Sequence, residues 1–97
     1  MATYIVLGNF TEQGIRNIKD TTKRADALKE MAKKVGATVK ETYWTLGKYD
    51  VVAIVDAPDE ASVTALGLSI GVGGNVRTQT LRAFNSAEIG PILKKVP

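Results

Sequence analysis

A chain of 97 residues and 10.4 kDa, with 44% hydrophobic and 24% charged side chains, has the make-up of one soluble globular domain that buries a modest core unaided. Cysteine and histidine are both absent, which excludes disulfides, thiolate or imidazole metal centres, Ser-His and Cys-His nucleophile pairs, and a haem held by His or Cys. The net charge of +3 is mild, and no Asp-rich loop suggests a carboxylate metal site, so no metal and no cofactor is expected.

Residues 3–8, "TYIVLG", read as a strand of β-branched and aromatic residues ended by Gly and Asn. No basic segment precedes this apolar run, as a secretory leader would require. Thr11 then caps one long helix expected to run to about Val35 and to close at Gly36. Its apolar stripe is Ile15, Ile18, Ala25, Leu28, Ala32 and Val35. Between Arg16 and Lys34 seven basic residues face three acidic ones. This reads first as a solvated outer face, and only second as a phosphate-attracting one.

Strand character returns over 37–46 and again over 49–56, with Gly47-Lys48 as a two-residue turn. Asp56, Pro58 and Asp59 open a second helix with Val63, Leu66, Gly67 and Ile70 on one face. Gly71, Gly73 and Gly74 end it, and residues 75–84 form a fourth strand. In the tail, Pro91 is expected to split the helical pattern into a turn and a short helix. The most apolar stretch, "ASVTALGLSIGVGGNV", is broken by glycine and falls short of a membrane span, so a cytoplasmic protein without membrane contact is expected.

The order is βαββαβ over residues 1–97, a single α+β domain with the split βαβ of a ferredoxin-like sandwich. Strands "YIVL" and "VVAIV" are apolar on both faces and therefore central, whereas the second and fourth strands carry polar residues, as edges should. The antiparallel sheet order is then 4-1-3-2. Two helices cover one face of such a sheet, which leaves half of the central apolar residues in water. A homo-oligomer packed sheet on sheet, forming a dimeric α+β barrel, is the expected remedy; the alternative is cover by the C-terminal tail.

Nucleic acid fits poorly. The glycines of "GLSIGVGG" follow a helix and precede a strand, the reverse of a phosphate-cradling loop. The βαββαβ order is also that of an RNA-recognition module, yet Val6 occupies its first-strand stacking position and "DVVAIV" offers no aromatic. The richer stretch is the hairpin. A Gly47-Lys48 turn sets Thr45 opposite Asp50 and Leu46 opposite Tyr49, so Asp50 shares a face with Thr45 and Tyr43, and Tyr49 with Trp44 and Leu46. Two readings stand side by side. Either the aromatics are cross-strand packing and Asp50 bonds Thr45 or a turn N–H, or Tyr43, Trp44, Tyr49 and Asp50 line a pocket near the hairpin. In the second case Arg77, Arg82 or Asn9 supplies the opposing polar group, and Asp50 could serve as acid or base with a tyrosine as proton donor.

"YWTLGKYDVVAIVDAPDE", with "FTEQGIRNIKDTTKRA" upstream and "GNVRTQTLRAF" downstream, resembles the GYD-domain family of small prokaryotic proteins. Gly47, Tyr49 and Asp50 match the residues that name it, with Lys48 between the first two. The resemblance implies a ferredoxin-like α+β barrel and carries no assigned activity. The functions that follow are a small-molecule or partner-binding homo-oligomer using a pocket near the hairpin, or a small cofactor-free enzyme built on Asp50 and Tyr49.

Overall fold

The computed structural model describes residues 1–97. Its elements are β1 (Ala2–Phe10), α1 (Glu12–Arg16), a 3-10 turn (Ile18–Asp20), α2 (Thr21–Lys34), β2 (Thr38–Trp44), β3 (Val51–Ala57), α3 (Glu60–Val72), β4 (Val76–Ala83) and α4 (Ser86–Leu93). The four strands form one antiparallel sheet in the order β2-β3-β1-β4, which is the expected 4-1-3-2 read from the other edge.

The core forms where this sheet meets α2 and α3. Tyr4 and Val6 of β1 and Ala53, Val55 and Ala57 of β3 alternate onto the helix side. There they meet Ala32 of α2 and Val63 and Leu66 of α3. Leu66 and Val55 are the largest fully buried side chains, and each stabilises the fold by about 1.5–3 kcal/mol through water removed from its surface. α3 begins where Asp59 caps it, its carboxylate accepting from Ser62 N at 2.7 Å. The hydrogen bonds from Ser62 hold that carboxyl below its ordinary range.

Three local expectations change. The single helix over 11–35 is broken into α1, the 3-10 turn and α2. "NIKDTT" supplies Asn17, Asp20, Thr21 and Thr22, whose side chains compete for backbone partners and favour helix ends. Ile15 and Ile18 consequently leave the stripe and stand exposed, while Ala32 of α2 is fully buried. At the hairpin the strands stop at Trp44 and start at Val51, so residues 45–50 form a longer connection than a two-residue turn. The expected register survives: Trp44 pairs with Val51, and Thr45 N donates to Asp50 O at 2.9 Å. Gly47 takes φ +109° at the tip, a conformation side chains resist. In the tail, α4 runs through Pro91 instead of splitting there. Asn85 and Glu88 form a reciprocal capping box that starts the helix, and Pro91 lies close enough to its end to forfeit only one backbone bond.

α4 does not fold back over the sheet. The molecule measures 50 × 31 × 18 Å and its radius of gyration is 14.5 Å, against about 12.5 Å for a compact chain of this length. Ile89, Ile92, Leu93 and Val96 remain exposed on this arm.

Gly14 of α1 is where the helical segment touches the chain entering β4. A Cβ there would lie 2.1 Å from the Asn75 carbonyl oxygen, a backbone atom that cannot swing away. Gly14→Ala should therefore cost about 1–3 kcal/mol as an overpacked contact. Gly71→Ala, where a Cβ meets nothing within 4 Å, should instead gain up to about 1 kcal/mol of helix propensity. Denaturant midpoints for the two variants moving in opposite directions is the expected result.

Candidate functional site

Two surfaces compete as the functional site, one on each side of the sheet. On the helix side, at the hairpin end, a cavity of about 270 Å³ lies between the sheet, α2 and α3. Gly8 and Ala53 lie among Val6, Val51 and Val76 on the sheet. A Cβ at Gly8 would fall 2.7 Å from Val51 Cγ1 and 2.8 Å from Val76 Cγ1, so the valines of β3 and β4 already occupy the space over Gly8. Leu28 and Met31 of α2, Ile70 of α3 and Phe10 complete an apolar lining. Trp44 stands at its β2 edge, and its indole N–H donates to Thr21 Oγ1 at 3.0 Å, tying that edge to the start of α2.

Arg24 of α2 is the charged residue in this lining, and no carboxylate accompanies it. Its guanidinium is held by the break in the first helical segment: Nη1 donates to Asn17 O at 2.7 Å and Nη2 to Gly14 O at 3.5 Å. The guanidinium carbon lies 6.0 Å from the centre of the Phe10 ring. Arg24 takes part in none of the ion pairs, which join Arg16 to Glu12, Lys33 to Glu30, Lys40 to Asp56 and Arg82 to Glu88. Its Nε–H and the hydroxyl of Thr42 on β2 are buried, and no protein group bonds either of them. Each such group costs about 1–3 kcal/mol when left unsatisfied.

On the other side the sheet is open. Ile5 and Leu7 of β1, Val52 and Ile54 of β3, Leu81 of β4 and Tyr43 of β2 share this face by register. Tyr43 is 53% exposed and Leu81 40%. Around this apolar centre runs a polar rim, the anatomy of a protein interface. Tyr43 OH donates to Glu41, and that bond together with the nearby negative charge raises the phenol's pKa above its ordinary 10.0, so it stays a neutral donor.

The proposed site residues divide between these surfaces. Trp44 lines the cavity. Asn9 and Arg77 are paired neighbours at the hairpin end of the open face, and Tyr43 lies on that face too. Tyr49, expected beside Trp44, instead crosses to the open side, where its hydroxyl donates to Gln79 Oε1 at 2.9 Å. Asp50 joins the end of β1: its N–H donates to Gly8 O, and its Oδ2 accepts from Phe10 N, both at 2.9 Å. The carboxylate thus occupies the last backbone donor that β3 leaves unpaired on β1. Arg82 lies at the opposite end, its guanidinium 4.3 Å from the Phe84 ring centre and paired with Glu88.

Arg24 and Thr42 were not among the residues singled out from the chain. The signal was present in the spacing: Thr21, Arg24, Leu28 and Met31 recur at three and four along one face of α2. Counting Arg24 with the basic outer face hid it.

No helix is long and apolar enough to cross a membrane. A relative from Thermus thermophilus, named "Glutamine synthetase and cystathionine beta-lyase binding protein", is 34% identical over 95 residues, covering 97% of this chain and 100% of its own. The crystal structure of TTHA0845, also from Thermus thermophilus, matches with a TM-score of 0.56 at 28% identity, over 89% of this chain and 96% of that one. FFRP-DM1 matches with a TM-score of 0.61 over 87% of this chain and 100% of that one, and at 21% identity it shows a shared fold. The family model described as the GYD domain covers residues 4–93, from the first strand to the end of α4, with Gly47, Tyr49 and Asp50 inside it. The chain belongs to the GYD domain family.

Proposed function

We propose that this chain is a cytoplasmic protein-binding module, working as a homo-oligomer and docking onto enzymes such as glutamine synthetase or cystathionine beta-lyase. The observation that carries this reading is the end-to-end likeness to the Thermus thermophilus binding protein, which this chain matches over 100% of its length. The elements described here are therefore shared with that protein along its matched length.

The open face supports assembly. Its apolar centre of Ile5, Leu7, Val52 and Ile54 is flanked by Tyr43 and Leu81 and left bare by α4. A second copy related by a two-fold axis offers the same apolar area in return, and the two sheets then bury their centres against each other. The enzyme contact falls to the hairpin end. There Leu46 is 101% exposed at the tip, at the same end of the sheet as the Asn9–Arg77 pair. An apolar side chain held out on a glycine turn is well placed to enter a partner's pocket.

A catalytic role for Asp50 finds less support, because its carboxylate is engaged by the Phe10 N–H. Asp50→Ala should lower stability by about 1.5–3 kcal/mol, the range for a hydrogen bond to a charged group, and should leave enzyme capture intact. A variant with unchanged stability would return Asp50 to the list of chemical groups.

For the main reading, immobilised protein is exposed to the cognate glutamine synthetase and cystathionine beta-lyase in biolayer interferometry. Saturable binding of at least one enzyme is expected, weakened roughly tenfold or more, about 1.4 kcal/mol, by Leu46→Asp. Absence of binding at tens of micromolar would remove the enzyme-docking role, and equal binding by Leu46→Asp would move the contact away from the hairpin tip.

A further inference from the structure

We propose that the cavity between the sheet, α2 and α3 is a binding site for a small monocarboxylate with an apolar body, its charge matched by Arg24. The inference goes beyond enzyme docking, since the cavity lining includes none of Leu46, Asn9 and Arg77, to which that contact was assigned.

Size comes first. A volume of about 270 Å³, at the ~30 Å³ that a water molecule takes in liquid, holds on the order of ten non-hydrogen atoms. Apolar residues dominate its lining, so most of those atoms are hydrocarbon.

Charge decides the remainder. Arg24 is the one ionic side chain of the lining, and no acid stands against it there. Its present partners are two backbone carbonyls, of Asn17 and Gly14, and it joins no ion pair. A guanidinium at an apolar cavity is stabilised by an anion, and a carboxylate suits its planar donors. Arg24 and Thr42 both belong to the lining, and the Nε–H of the first and the hydroxyl of the second are buried with no protein group bonding them. A cationic ligand would meet Arg24 with no compensating acid, so the site discriminates by charge.

Trp44, the single tryptophan, stands at the cavity edge and reports on it directly. The test titrates the full chain with sodium octanoate, 1-octanol and octylammonium chloride. Trp44 fluorescence and isothermal calorimetry follow binding, and amide chemical shifts locate it. Octanoate is expected to saturate at one molecule per chain and to shift amides of α2, β2 and α3. Octanol should bind at least tenfold more weakly and octylammonium not at all. Ala53→Leu, which fills the sheet side of the cavity, should abolish octanoate binding. Thr42→Val, which removes a buried hydroxyl with little change of shape, should raise the melting temperature while leaving the apolar body of the site in place. Arg24→Gln should bring octanoate affinity down to that of octanol. Equal affinity for the three probes in the wild-type chain, or shifts confined to the open face, would overturn the assignment without reference to any variant that folds poorly. Enzyme capture is read separately, so either result stands alone.

Discussion

Everything in this fold hangs on the pairing of β1 with β3. Tyr4 faces Val55 and Val6 faces Ala53 on the helix side, while Ile5 faces Ile54 and Leu7 faces Val52 on the other. Both strands are apolar on both faces, so the sheet must be covered twice to keep them dry. α2 and α3 supply one cover. The chain has no second layer of its own, because α4 points away from the sheet and leaves its own apolar residues exposed. The deficit follows from side-chain alternation, which makes any one-sided solution incomplete. Sheet-on-sheet assembly with a second copy is the remedy proposed above for this deficit.

The covered side is incomplete in a different way. A cavity is left at the hairpin end between the sheet, α2 and α3, with Gly8 and Ala53 among its lining residues. The break between α1 and α2 leaves backbone carbonyls at Gly14 and Asn17, and Arg24 fills them with two of its three nitrogens. A chain built for stability alone would close such a cavity with larger side chains and would not place an unpaired guanidinium beside it. The charge depends on the interruption of the first helix, whose freed carbonyls hold the Arg24 guanidinium.

The sheet order was legible because it depends on which strands are apolar on two faces, and that is written directly into "YIVL" and "VVAIV". The β2–β3 register was legible for a similar reason, since Gly47 admits a turn that its neighbours do not. Tyr49 was misplaced because alternation applies to strands, and residues 45–50 are not strand. From the sequence, Asp50 either bonds Thr45 or a turn N–H or is a pocket group. Its carboxylate instead accepts from Phe10 N at the end of β1, a contact between distant strands that the hairpin alone does not announce. The helix break escaped because Ile15 and Ile18 continue the apolar period through it, and period was weighed above the Asn, Asp and Thr that end helices. With the break went Arg24, whose guanidinium is held by the carbonyls that the break frees.

In the reading proposed above, the open sheet face meets a second copy, the projecting hairpin meets a partner enzyme, and the cavity behind the sheet takes a small carboxylate. The first of these carries the others, since an uncovered sheet would leave the central strands wet and the domain prone to aggregate. The most direct test is the mass of the particle in solution, measured by light scattering during size-exclusion chromatography at micromolar concentration. Two or more copies of the 10.4 kDa chain in one particle is the predicted result. A single 10.4 kDa species, stable and soluble, would contradict it.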